Sequence, residues 1–300
     1  MSQQMLIGQA SQIGPKERNE DALACVTPEP ALLASKGCLF ALADGVSNCA
    51  NGKLAAESTV RAVAADYYAT PETWEIAHAL DRLLTAHNRW LQAQTAAQPL
   101  LTTLSVLVTR GRRYTLAHVG DCRIYRLRRD RLQQLTQDHV WDQPEMRHVL
   151  KRAVGLDAHL MLDFHDGELE PGDVFLLVCD GVWEPLGDQK LHQLLQLHVD
   201  PQRAAEAMVK AAHGAGGQDN ASAIVVRIGD LPAPGTSKMI ASRSLSSCRN
   251  GAASSRLAPI PLNNRSGVEC SALGTFATLM PTRSGCPTTC FRASVPVAKT

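Results

Sequence analysis

Three neighbouring segments decide how this chain folds: Arg113-Tyr114-Thr115-Leu116-Ala117-His118-Val119, Arg123-Ile124-Tyr125-Arg126-Leu127 and Arg131-Leu132-Gln133-Gln134-Leu135. Each carries apolar residues at strand spacing, and only a few residues separate one from the next. Parallel neighbours would need crossovers of about a dozen residues or more, so this stretch must run antiparallel. A doubly wound parallel sheet is thereby disfavoured.

Outward from there, short apolar runs at 5–9, 21–26, 37–43, 103–109, 160–164, 173–179 and 222–228 also read as strands. Residues 52–68 and 74–93 read as two helices split at Pro71, the second with Ala77, Leu80, Leu84, His87 and Leu91 on one face. Further helices are expected at 143–152, 187–197 and 201–213, the last opened by Asp200-Pro201, an N-cap followed by proline at the first helical position. The economical layering is an α+β fold, an antiparallel β-sandwich flanked by helices. No internal repeat is visible.

The pattern stops near Asp230. Residues 231–300 hold eleven serines, seven threonines and seven prolines, with no sustained periodicity. Such a segment buries too little apolar surface to offset its ordering entropy, so we expect a folded body at 1–230 and a disordered tail at 231–300. The net charge of +1 hides this division: the body has 22 Lys plus Arg against 28 Asp plus Glu, the tail 8 against 1. No aromatic residues interleave with a basic stripe in the body, which argues against a nucleic-acid groove.

No run approaches the roughly 18 apolar residues of a membrane span, and Met1-Ser2-Gln3-Gln4-Met5 lacks a signal peptide's charged start. The nine cysteines show no repeated spacing, and Cys286-Pro287-Thr288-Thr289-Cys290 offers only half of a zinc site. These features predict a cytoplasmic protein without a disulfide framework.

The chemistry lies in the acids. Cys38-Leu39-Phe40-Ala41-Leu42-Ala43 delivers Asp44-Gly45, and Val174-Phe175-Leu176-Leu177-Val178-Cys179 delivers Asp180-Gly181. A strand ending on an acid puts a carboxylate at the rim of its sheet. Asp121 follows Gly120 after another strand, and Asp219-Asn220 precedes Ala223-Ile224-Val225-Val226. Converging rims would form a carboxylate cage for hard cations. Singly, each Asp-Gly also reads as a turn.

With Asn19-Glu20-Asp21 and Thr102-Thr103 added, the ordered blocks resemble the metal-dependent PPM, or type 2C, protein phosphatases across residues 5–229. The resemblance implies a four-layer sandwich holding two Mn²⁺ or Mg²⁺ ions. Asp44 would bridge them and the Gly45 carbonyl would join one. Asp180 and Asp219 would complete one shell, with Asp21 directly and Glu20 through water on the other; Asp121 would hold a third, weaker ion. Such a pair, about 3.5 to 4 Å apart, shares a hydroxide that attacks phosphoserine or phosphothreonine directly. The implied partners are phosphorylated proteins and a cognate serine/threonine kinase.

The chain departs from the family at Lys16, where the phosphate-gripping residue is usually arginine; a lysine lacks the planar two-pronged grip, and either Lys16 or Arg18 holds the phosphate. The segment from Asp138 to Leu156 matches the flap region and is short, with His139 expected to be a structural or flap residue rather than a ligand. The body is also similar to the phosphatase half of bacterial phosphatase-kinase proteins, yet no kinase motif follows residue 230. The tail reads as a linker remnant or a shifted frame. Two rival functions stay open: a phosphate-recognition module without turnover, and a small-molecule phosphoesterase.

Overall fold

The computed structural model describes residues 5–46, 51–94, 99–141, 143–146 and 149–231. The expectations for the tail beyond Leu231, and those for Cys49, Cys286 and Cys290, lie outside the described residues.

Among the described residues, ten strands form two five-stranded sheets in which every strand pairing is antiparallel. Sheet I has the order β1 (Met5–Gln12), β10 (Ala221–Ile228), β9 (Val174–Val178), β6 (Arg123–Arg128), β7 (Arg131–Gln134). Sheet II has β2 (Asp21–Val26), β3 (Cys38–Asp44), β4 (Leu104–Arg110), β5 (Arg113–Val119), β8 (Asp163–Glu168). Of the deciding segment, β6 and β7 pair antiparallel as expected, but β5 does not pair with β6: it belongs to sheet II while β6 and β7 belong to sheet I. The Gly120–Asp121 turn is where the chain changes sheets.

Strand alternation sorts each side chain into one of two cores. On β3, Cys38, Phe40 and Leu42 join the core shared with sheet I, while Leu39, Ala41 and Ala43 face the helices α2 (Gly52–Ala69) and α3 (Ile76–Ala93). The two sheets meet through Tyr114 and Phe175, edge to face at 5.0 Å. Two more helices, α4 (Asp180–Leu197) and α5 (Pro201–Gly214), cover the outer face of sheet I through Leu191, Leu195, Met208 and Val209. Helix, sheet, sheet, helix is the layering.

Four expectations need correction. The helix expected at 143–152 is a 3₁₀ turn at Pro144–Met146, with Leu150 bridged to Val140. Met146 and Val149 have no core to cover and stay exposed, so its helical spacing had nothing to stabilise it. The strand expected at 160–164 lies at Asp163–Glu168, an exposed edge strand with a polar sequence; Leu160 and Leu162 instead anchor the loop to the α2/α3 core. Helix α4 begins at Asp180 rather than 187, with a break at Gly187 that the sequence reading took for its start. A short helix α1 (Pro30–Ser35) was not anticipated.

Candidate metal centre

Asp44 continues the Phe40–Leu42 row of β3 and therefore faces the other sheet. Its cross-strand partner on β2 is Asp21, so the two acids stand directly opposite one another. Like charges in that position repel. Sheet I supplies the others: Asp180 is the first residue of α4, immediately after β9, and Asp219 lies just ahead of β10. Asp121 sits in the turn that crosses between the sheets. Donor atoms of Asp21, Asp44 and Cys179 lie within 4.8 Å of one another. The charges of Asp180 and Asp219 both bear on Asp44, and that of Asp219 on Asp180 as well.

The electrostatic cost is visible in the acids themselves. Burial pushes the Asp44 carboxyl well above its ordinary range, and Asp21, Asp180, Asp121 and Asp219 raise it further. Burial, together with Asp180, lifts Asp21 to about 7. Asp121 also rises to about 7, through burial and then Asp180. Asp180 is raised by burial and by Asp219. One observation bears on whether such a cluster fits cations: Oδ1 of Asp21 and Oδ1 of Asp180 are buried with no hydrogen-bond partner. Two orphaned carboxylate oxygens among clustered aspartates are the donors that hard divalent ions take, and the Cys179 thiol beside them is held protonated by burial. The residues present fit the group.

The scaffold around the acids is tightly bonded. The Asp44 carbonyl accepts from Thr103 N–H (2.9 Å) and Thr102 Oγ1 (2.8 Å), and Asp44 N–H donates to Thr103 Oγ1 (3.0 Å). Gly45 bridges to Thr102, and its N–H donates to the Glu20 carbonyl at 3.2 Å. Neither Gly45 nor Gly181 has a positive φ. Both are glycine because backbone passes close by: a Cβ on Gly45 would meet the Gly52 carbonyl at 2.3 Å, and one on Gly181 the Asn220 carbonyl at 2.0 Å. The turn reading of these Asp-Gly pairs gives way to close approach.

Of the two candidate phosphate-binding cations, Lys16 reaches the acids: its Nζ lies 3.0 Å from Asp219 Oδ2. Arg18 is exposed and forms no ion pair among the described residues. Glu20 is half-buried, its N–H bonded to Asn220 Oδ1 at 2.9 Å. His139 is structural, accepting the Gly120 N–H through Nδ1 at 3.1 Å.

Sequence reasoning missed three residues. Asn220 fastens the loop ahead of β2, donating through Nδ2 to the carbonyls of Ile13 (2.8 Å) and Arg18 (2.9 Å). Ser222 Oγ donates to Asp21 Oδ2, and Cys179 Sγ donates to the same oxygen at 3.4 Å. Only the strand parity of β9 and β10 could have placed Cys179 and Ser222 on the inward face.

A two-sheet sandwich with an acid cluster at its rim defines the type 2C phosphatase class, and comparison with known proteins agrees. The chain belongs to the protein phosphatase 2C family, whose model matches residues 9–213. It is 29% identical over 212 residues to the serine/threonine protein phosphatase PstP of Mycobacterium tuberculosis, covering 64% of this chain and 40% of PstP. The match thus spans less than half of that relative's length. Protein phosphatase PhpP of Streptococcus pneumoniae is 25% identical, over 64% of this chain and 86% of its own. Among solved structures, PppA of Pseudomonas aeruginosa superposes with a TM-score of 0.65 at 26% identity, covering 75% of this chain and 97% of PppA. The PstP catalytic domain in complex with two manganese ions gives 0.63 at 26%, covering 75% and 99%.

Proposed function

We propose that the protein is a metal-dependent phosphatase that hydrolyses phosphoserine and phosphothreonine in proteins. The observation that carries this reading is the meeting of five aspartates from both sheets around two unpartnered buried oxygens. Asp44 and the Gly45 carbonyl, with Asp180 and Asp219 on one side and Asp21 and Glu20 on the other, would hold two Mn²⁺ or Mg²⁺ ions, and Asp121 a weaker third. When bound, two such ions supply Lewis acidity that activates water and neutralises phosphoryl oxygens.

The chain's own residues supply position and charge. Lys16, already drawn to the acid rim, is placed to take a substrate phosphate once a cation relieves Asp219. The nearest thiols, Cys122 and Cys179, are fully buried and held well above the ordinary thiol range, so neither supports a cysteine-phosphate route. Names of the relatives support proteins phosphorylated on serine or threonine as substrates; a kinase that installs those phosphates would be the opposing partner.

The test is manganese-dependent phosphate release from a phosphothreonine peptide, compared with nucleotides. Asp44→Asn should abolish it, and Lys16→Ala should raise KM more than it lowers kcat. Turnover that survives chelation or Asp44→Asn would end the two-metal reading. Tight binding of manganese and phosphopeptide without turnover would instead make this a recognition module, and preference for nucleotides a small-molecule enzyme.

A further inference from the structure

The Gly120–Asp121 turn is held from three sides. Gly120 adopts φ 108°, and a Cβ there would meet the Thr103 side chain at 2.5 Å. His139 clamps the Gly120 peptide at both ends, accepting its N–H and donating its own backbone N–H to the Gly120 carbonyl at 2.7 Å. The third hold is Trp183, whose Nε1–H donates to the Asp121 carbonyl at 3.0 Å.

Trp183 stands one helical turn after Asp180 on α4. The same turn of helix thus carries one acid of the cluster and the donor that grips another. Its ring also supports the strand that follows Asp121: the Arg123 guanidinium carbon lies 3.4 Å from the ring centroid. That guanidinium is in turn fixed by Asp138, through Nε at 3.0 and 3.1 Å and Nη2 at 2.7 Å. A stacked and forked arginine is a rigid support. The half-buried Trp183 could have met water with its N–H, but it spends that donor on the peptide that aims Asp121.

We propose that Trp183 is a positioning residue for Asp121, its indole N–H and ring face together setting the affinity of the weaker cation site without touching the pair of sites at Asp44. The inference rests on the metal-centre reading above and assigns a determinant within it. A metal site loses affinity when the group that orients a ligand is removed.

The experiment is a Mn²⁺ titration of the full chain, with free ion followed by electron paramagnetic resonance, on the wild type, Trp183→Phe and Asp121→Asn. We expect two tight ions and one weak ion in the wild type, loss of the weak ion alone in Asp121→Asn, and a weak-site Kd raised about five- to tenfold in Trp183→Phe, the size of one neutral hydrogen bond. An unchanged weak site in Trp183→Phe overturns the inference and leaves the metal centre standing. Equal loosening of all three sites overturns it too, because that is the mark of general packing. A wild type without a weak site, or Asp121→Asn that keeps it, removes the cation from Asp121 and takes this inference with it. Should Trp183→Phe fail to fold, Arg123→Lys carries the test. It keeps the charge but loses the stacked fork, and must weaken the same site alone, while an unchanged site counts against the proposal.

Discussion

Asp44 concentrates the problem that this fold solves: a half-buried carboxylate, poorly solvated, beside four others. Raised carboxyl pKa values mean that the folded, chelated protein holds protons that the unfolded chain has already lost. For Asp21 and Asp121 the folded value is about 7 against an ordinary 3.8, so the native state binds more protons across that window. Metal-free stability must then fall as pH rises towards and through 7. We expect the EDTA-treated protein to show a higher Tm at pH 6.5 than at pH 8, with much of the difference gone in Asp44→Asn. Equal Tm values at the two pH settings would contradict the burial of these charges. The buried His87 and His118, both lowered from 6.5 to about 4, work the other way below about pH 7, where the unfolded imidazoles gain protons that the folded ones do not, and so reduce the difference. At this scale the sequence was legible for residue type and opaque for role. Lys16 and Arg18 are two positions apart, and only the fold shows which of them an acid draws in.

Elements bring the acids together by lying closer than side chains allow. Gly181, in the first turn of α4, leaves no room between that helix and the residues leading into β10. Gly181→Ala should push α4 outward, costing about 1–3 kcal/mol of stability, the usual penalty for overpacking. Denaturant unfolding with chelator present should register that loss, and a manganese titration should show weaker binding; an unaffected variant would mean that the contact is not needed. Strands such as β3 and β9 were legible because an apolar run bounded by an acid has little other reading. Edge strand β8 was not, since only Phe164 of its six residues is apolar and their partner on β5 lies about fifty positions away. The 143–152 segment failed in the opposite sense. Its spacing suited a helix, but spacing creates no stability where no core waits to be covered.

Across the whole molecule, the candidate metal centre is a seam: Asp21 and Asp44 come from one sheet, Asp180 and Asp219 from the rim of the other, and Asp121 from the crossing between them. Binding at a seam must stabilise the sandwich as a unit. With free Mn²⁺ at a hundred times its Kd, mass action adds about 2.7 kcal/mol per site. Tm should therefore climb steadily with manganese in the wild type and far less in Asp44→Asn, which keeps only the weaker site at Asp121; a wild-type Tm indifferent to manganese would separate these acids from metal. The amino-acid sequence by itself determined the antiparallel class, the two helical pairs and the identity of the acids, because periodicity and short connections are local properties of a chain. Tertiary structure alone decided that β5 and β6 part into different sheets, that Asp21 faces Asp44, and that Asn220, Ser222 and Trp183 hold the arrangement. Those relations join residues up to two hundred positions apart, and only the stacking of two twisted sheets sets them.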